Sequence, residues 1–191
     1  MEEFWKYADS PGKFTTVFTN SSINTGFLLR WSWGKQEFIP SDIINFFDVK
    51  IKGSYLLTQE LIFKTYGIKD LYLSLMKTDV DFLRKYRYTL SGDSLSLAFY
   101  LGALSYVQKK PIPGKTVATG VISPVYENNY NLYNSDNQKE KIAIARSYGA
   151  NFFLTCANDN FQIAGIKTIH LEKEFDAFTN QLLQILNNDK G

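Results

Sequence analysis

The stretch Ser94-Leu95-Ser96-Leu97-Ala98-Phe99-Tyr100-Leu101-Gly102-Ala103-Leu104-Ser105-Tyr106-Val107-Gln108 decides the fold. It is strongly apolar, which predicts a buried helix over Ser94 to Gln108. A Ser-Gly-Asp-Ser turn opens it, and Lys-Lys-Pro-Ile-Pro closes it, since proline cannot continue a helix. Downstream, Lys115 to Ser123 reads as a strand and Gln138 to Tyr148 as a helix ended by Gly149, a residue suited to a C-terminal cap. Asn151 to Thr155 reads as a short buried strand, Lys167 to His170 as another, and Glu172 to Leu186 as a terminal amphipathic helix. Helices and strands alternate from Arg84 onward, so the fold class is mixed α/β.

Upstream the pattern is weaker. Phe14 to Phe18 and Gly26 to Trp33 carry β-branched and aromatic residues between turn signals, which predicts two strands in a hairpin around Asn20 to Thr25. Ile43 to Ile51 is apolar enough for a strand. Tyr55 to Tyr66 and Lys69 to Phe82 show apolar residues at mixed spacings, and at least one should be helical. Arg84 to Leu90 alternates and reads as a strand. The polar stretches Asp9 to Lys13 and Asn128 to Gln138 read as loops.

At 191 residues the chain suits one domain, and its 45% hydrophobic and 21% charged residues are those of a globular protein. Cys156 is the single cysteine, which excludes a disulfide framework and a cysteine-rich zinc site. The single histidine, His170, argues against a histidine-rich metal centre and a Ser-His-Asp triad. No metal or cofactor is expected. Twenty-one basic against nineteen acidic residues gives a charge of +2, so neither nucleic acid nor membrane is an expected partner. The polar N-terminus is no secretory signal and no segment has the length of a membrane span, which makes the cytoplasm the default compartment.

Pro113-Gly114-Lys115-Thr116 resembles part of a phosphate-binding loop. Its first glycine would fall on Lys109, and a strand follows where that loop needs a helix, so the chain brings no ATPase. His170 and Cys156 read as structural residues. Ser94 differs. A serine at a helix start is ordinarily an N-cap, but the free N–H groups and dipole there also suit a nucleophile and its oxyanion. With no available histidine, the base must be a lysine or a carboxylate. Lys139 lies in the first turn of its helix, where the dipole disfavours its charge.

Taken together these segments resemble the proteolytic domain of Lon proteases, a Ser-Lys dyad family. That family's Gly-Pro-Ser-Ala-Gly segment is matched by Gly92-Asp93-Ser94-Leu95-Ser96, and its Ala-Met-Thr-Gly-Glu strand by Val117-Ala118-Thr119-Gly120-Val121. Its Leu-Lys-Glu-Lys helix is matched by Gln138-Lys139-Glu140-Lys141, and Gly149-Ala150 and Asn151 to Leu154 follow as glycine and strand. The match runs from Ser91 to Asn187. The motif-bearing part is residues 84–187, with residues 1–83 completing a single domain over residues 1–191.

The resemblance implies a serine endopeptidase without its own ATPase. Ser94 would be the nucleophile, and Lys139, the first lysine of its run, the general base. Thr119 would hydrogen-bond and orient that lysine, and the backbone amides of Asp93 and Ser94 would form the oxyanion hole. It implies a protein or peptide substrate, and leaves open a separate regulatory or unfoldase partner and a homo-oligomer. Asp93 stands for the family's proline, Ser96 for its second glycine and Val121 for its glutamate. These departures also allow a catalytically silent Lon-like domain that serves as an interaction or assembly module. A third reading, nucleic-acid binding, would need Arg84, Lys85, Arg87, Lys109, Lys110 and Lys115 gathered on one face.

Overall fold

The computed structural model describes residues 2–20, 25–35, 44–88, 90–126, 129–156 and 163–188. Strands β1 (Lys13–Asn20) and β2 (Thr25–Gly34) pair antiparallel in register from Lys13 opposite Ser32 to Asn20 opposite Thr25. This is the expected hairpin, its residues 21–24 lying outside the described residues. Alternation sends Phe14 and Phe18 to one face of β1 and Val17 to the other, and each face has its own apolar cluster.

Helix α1 (Glu2–Trp5) precedes the hairpin, and α2 (Val49–Tyr66), β3 (Tyr72–Leu75) and α3 (Lys77–Tyr86) follow it. The strand expected over Ile43 to Ile51 does not form, and Ile43 lies outside the described residues. Asp48 instead caps a helix that begins at Val49, its carboxylate accepting from the Lys50 and Ile51 amides. Lys69 to Phe82 divides between β3 and α3, because Met76 starts the helix whose Val80 and Leu83 face inward. The strand expected over Arg84 to Leu90 is also absent among the described residues, Thr89 lying outside them. Arg84, Lys85 and Tyr86 form the exposed last turn of α3, which Arg87 closes in the left-handed conformation. Alternating Arg, Lys and Tyr there reflects solvent on both sides of a helix end, not the two faces of a sheet.

The expected buried helix is α4 (Ser96–Gln108), with ten of its residues buried from Ser96 through Ser105. Gly102 lies within it because Phe14 of β1 presses there: a Cβ would meet the ring at 2.2 Å. The predicted strand over Lys115 to Ser123 splits at Thr119-Gly120 into β4 (Thr116–Ala118) and β5 (Val121–Tyr126). Strand β5 leaves the main sheet and pairs antiparallel with β6 (Asn129–Tyr133), inside a stretch that polarity alone marks as loop. Helix α5 (Gln138–Ser147), β7 (Phe152–Cys156), β8 (Lys167–Leu171) and α6 (Phe175–Asn187) complete the chain.

The main sheet runs β3-β2-β1-β4-β7-β8, antiparallel over its first three strands and parallel from β1 to β8. Helices α2, α4 and α6 contribute to the larger cluster on one face, around Trp31, Phe99 and Phe178. Trp5 and helix α5, through Ile142 and Ala145, cover Val17, Leu28, Val117 and Phe153 on the other. The fold is thus a mixed α/β domain. Among the described residues no helix is long and apolar enough to cross a membrane.

Candidate active site

Helix α5 sets which lysine reaches the centre of the molecule. Its buried residues are Gln138, Lys141, Ile142 and Ala145, the i, i+3, i+4, i+7 positions of one helical face. Positions two apart point about 200° away from each other around a helix, so Lys139 must face elsewhere when Lys141 faces in. Lys139 is exposed and borders a surface hollow with Thr19, Thr25, Ala143 and Ser147. Lys141 is only 6% exposed, and its Nζ lies 3.1 Å from Ser94 Oγ. The lysine beside Ser94 is therefore Lys141, and the expectation for Lys139 is corrected by helix periodicity.

Ser94 arrives from the other side. Helix α4 opens at Ser96, two residues later than the sequence suggests, and its N-cap position is Leu95, with no side-chain cap. Ser94 thus sits in the preceding turn, with a hydroxyl that does no capping. Ser96 is the tethering serine. Its Oγ donates toward the carbonyls of Asp93 and Gly120 and accepts from the Ile122 amide at 2.7 Å. Backbone bonds reinforce the turn, with Gly120 N–H donating to the Ser94 carbonyl at 2.9 Å and Leu97 N–H to the Gly120 carbonyl at 3.2 Å. Gly92, at φ +124°, lets the chain enter this turn through a conformation that side chains disfavour.

Lys141 has three N–H donors when charged, and the Ser94 hydroxyl is its one hydrogen-bond partner among the described residues. Burial depresses its pKa to about 8, against an opposing pull from the carboxylates of Asp136, Asp93 and Glu140. None of these carboxylates forms an ion pair with it. A lysine buried for structure is ordinarily paired. This one instead has the surroundings of an amine kept largely neutral at mildly alkaline pH.

Thr119 is buried in the same region but does not touch the lysine. Its hydroxyl lies 3.4 Å from the Ser94 carbonyl and 3.0 Å from Ser135 Oγ. The expected role of orienting the lysine is therefore replaced by a contact with the backbone of the serine. Among the described residues, no acceptor bonds the backbone N–H of Asp93 or Ser94.

These groups open into a cleft of about 390 Å³. Asp93, Ser94, Asp136 and Lys141 supply polar lining, while Val17, Phe18, Phe27, Tyr88 and Leu90 supply apolar lining. The rings of Phe18 and Phe27 stack at 5.5 Å, and those of Phe27 and Tyr88 at 5.2 Å. His170 lies on β8, remote in the sheet order from β1, and is not part of the cleft lining. Cys156 is buried, its thiol directed at the Leu132 carbonyl.

Sequence reasoning singled out Ser94 and Lys139, and the amine that reaches the Ser94 hydroxyl is that of Lys141. The missing signal was available: in Gln138-Lys139-Glu140-Lys141-Ile142-Ala143-Ile144-Ala145, only the second lysine shares a helical face with Ile142 and Ala145. A scan against protein-family models finds no match to the chain, and a search of curated proteins finds none either.

Proposed function

We propose that this protein is a Lon-like serine endopeptidase whose catalytic dyad is Ser94 and Lys141. One observation carries the reading: a buried lysine amine, with no carboxylate bonded to it among the described residues, sits 3.1 Å from a serine hydroxyl that opens into a cleft. This is the arrangement in which a lysine acts as a general base, near enough to take the hydroxyl proton and neutral enough to hold it.

Neutral Lys141 removes the proton of Ser94 as Oγ attacks a substrate carbonyl carbon. The resulting oxyanion accepts hydrogen bonds from the amides of Asp93 and Ser94, with the N-terminus of α4 adding favourable dipole charge. Lys141, now an ammonium, gives its proton to the leaving amine, and the C–N bond breaks to leave an ester on Ser94. Water then attacks that ester, Lys141 again taking the proton. The ammonium returns it to Oγ as the C–Oγ bond breaks, so that the acid product departs from a regenerated serine and a neutral lysine. The apolar lining around Phe27 and Tyr88 offers surface to the side chains of an extended peptide. The ordered steps need no nucleotide, metal or other cofactor.

The test is intact mass after incubation with a fluorophosphonate, run on wild type, Ser94→Ala and Lys141→Ala across pH. The expected result is one adduct on wild type, growing in as pH rises through about 8, and none on either variant. Absence of an adduct on wild type at every pH would overturn the reading and leave a catalytically silent domain. An adduct that persists in Lys141→Ala would remove the lysine from the chemistry.

A further inference from the structure

The turn that carries Ser94 is held from a third direction, by the start of α2. Asp48 uses its two carboxylate oxygens differently. Oδ1 accepts from the amides of Lys50 and Ile51, each at 3.0 Å, and so caps the helix. Oδ2 accepts from Ser91 Oγ at 2.7 Å and from the Gly92 amide at 3.3 Å, just before the nucleophile. The backbone adds a parallel bridge between Phe47 and Leu90, with Leu90 N–H donating to the Phe46 carbonyl at 2.7 Å and Asp48 N–H to the Leu90 carbonyl at 3.1 Å. One turn further along α2, Ser54 Oγ lies 3.4 Å from the Asp93 carbonyl.

We infer that Asp48 is a positioning residue for the Ser94 chemistry, clamping Ser91 and Gly92 so that the following amides and hydroxyl keep their aim. The inference rests on the proposed Ser94–Lys141 function and adds to it a residue 46 positions upstream of the serine. Gly92 is the joint that most needs such a clamp. Its φ of +124° is open to glycine and its neighbours restrain it little: the nearest atom to a Cβ there would be Ser94 Oγ, 3.8 Å away. A carboxylate is required for the double role, because both oxygens accept while all four partners donate. Asparagine can cap α2 as well as aspartate can, but its amide nitrogen would then meet the Gly92 N–H donor to donor.

Asp48→Asn therefore separates capping from clamping. The expected result is an unchanged melting temperature with fluorophosphonate labelling of Ser94 slowed by about 10- to 100-fold, the scale set by small misplacement of reacting groups. The pH at half-maximal labelling should stay in place, since Lys141 is untouched. Ser91→Ala, which removes one of the two clamped donors, should slow labelling by a smaller factor. Labelling of Asp48→Asn within twofold of wild type would overturn the inference, as would a loss matched by early melting. Hydrogen exchange at the Gly92 amide, the backbone donor that Asp48 Oδ2 accepts from, provides a readout independent of chemistry. It should quicken at least tenfold in Asp48→Asn while the interior of α2 is unaffected, and unchanged exchange would dismiss the clamp even if wild type proved unreactive. Failure of wild type to label, with the exchange change present, would instead count against the dyad and with it the positioning role.

Discussion

The polar lining of the cleft and its apolar lining are built in different ways. Asp93, Ser94, Asp136 and Lys141 come from two short segments, and hydrogen bonds of 2.7 to 3.3 Å fix the turn around Ser94. Val17, Phe18, Phe27, Tyr88 and Leu90 come from three regions of the first half of the chain, and the rings of Phe18, Phe27 and Tyr88 stack with centroids 5.2 to 5.5 Å apart. The first lining places individual atoms, while the second offers a surface. Changes to the first should act on reactivity toward any acylating molecule. Changes to the second should act on which molecules are accepted.

The sharpest test of that division is within α5. Lys141→Ala should lower the labelling and hydrolysis rates by at least about 10³-fold, the loss of a general base. Lys139→Ala, two residues away on the exposed face, should stay within about twofold. Comparable losses for both would mean that the geometry of α5 does not govern the chemistry. The same lysine sets the pH profile: with its pKa depressed to about 8, the rate should rise through that pH and level off above it. A profile flat from pH 6 to 10 would detach the rate from Lys141.

The buried amine should also weaken the fold. Its pKa is about 8 in the folded chain against 10.5 when unperturbed, so the unfolded state binds more protons between those values. Stability therefore rises with pH from about 8 to about 10.5 and is lowest below 8. Lys141→Met keeps most of the volume and removes the charge. At pH 7 it should raise unfolding stability by about 3 kcal/mol, the free energy that separates the two protonation equilibria. Equilibrium denaturation would show it, and a destabilised Lys141→Met would mean that the amine holds structure.

How much of this the sequence disclosed follows the same division. Ser94 and Thr119 were legible because a glycine-aspartate-serine turn before an apolar helix, and a threonine-glycine break after a strand, are local signals. The inward placement of Lys141 was legible too, through the spacing to Ile142 and Ala145, though a match by motif order alone selects Lys139. The apolar lining was not legible. Phe27 meets Phe18 across a hairpin and Tyr88 by a tertiary approach, and neither leaves a mark in either residue's neighbourhood. Nor were α2's start and the end of α3. Asp48 caps a helix where apolar content suggested a strand, and Arg84 to Arg87 of the alternating stretch form a helix end. Polarity likewise concealed β6, whose Tyr130 and Leu132 point inward among asparagines.

On the apolar side, Tyr88→Ala removes a half-buried ring that stacks on Phe27 without belonging to the tightly buried core. Fluorophosphonate labelling should remain within about twofold of wild type. The kcat/KM for a peptide with a large apolar residue at the scissile bond should fall about tenfold, the worth of one lost ring contact. Equal losses in both assays would show that the apolar lining also positions Ser94, and the two linings would then be one device.

The smallest effect belongs to Thr119, which joins the two strands flanking the site without touching the lysine. Its hydroxyl, 3.4 Å from the Ser94 carbonyl and 3.0 Å from Ser135 Oγ, adds a weak side-chain contact to a turn already held by the Gly120 amide at 2.9 Å. Thr119→Val preserves shape and β-branching and deletes only that contact. Because the Gly120 bond and Ser96 remain, the turn should shift little, and labelling should slow by about threefold, within the net worth of one hydrogen bond. The pH midpoint should not move, because no bond runs from Thr119 to Lys141. A midpoint displaced by Thr119→Val would show that the threonine reaches the amine during turnover. A loss as large as that of Lys141→Ala would place the threonine in the chemistry and give the polar lining a third member.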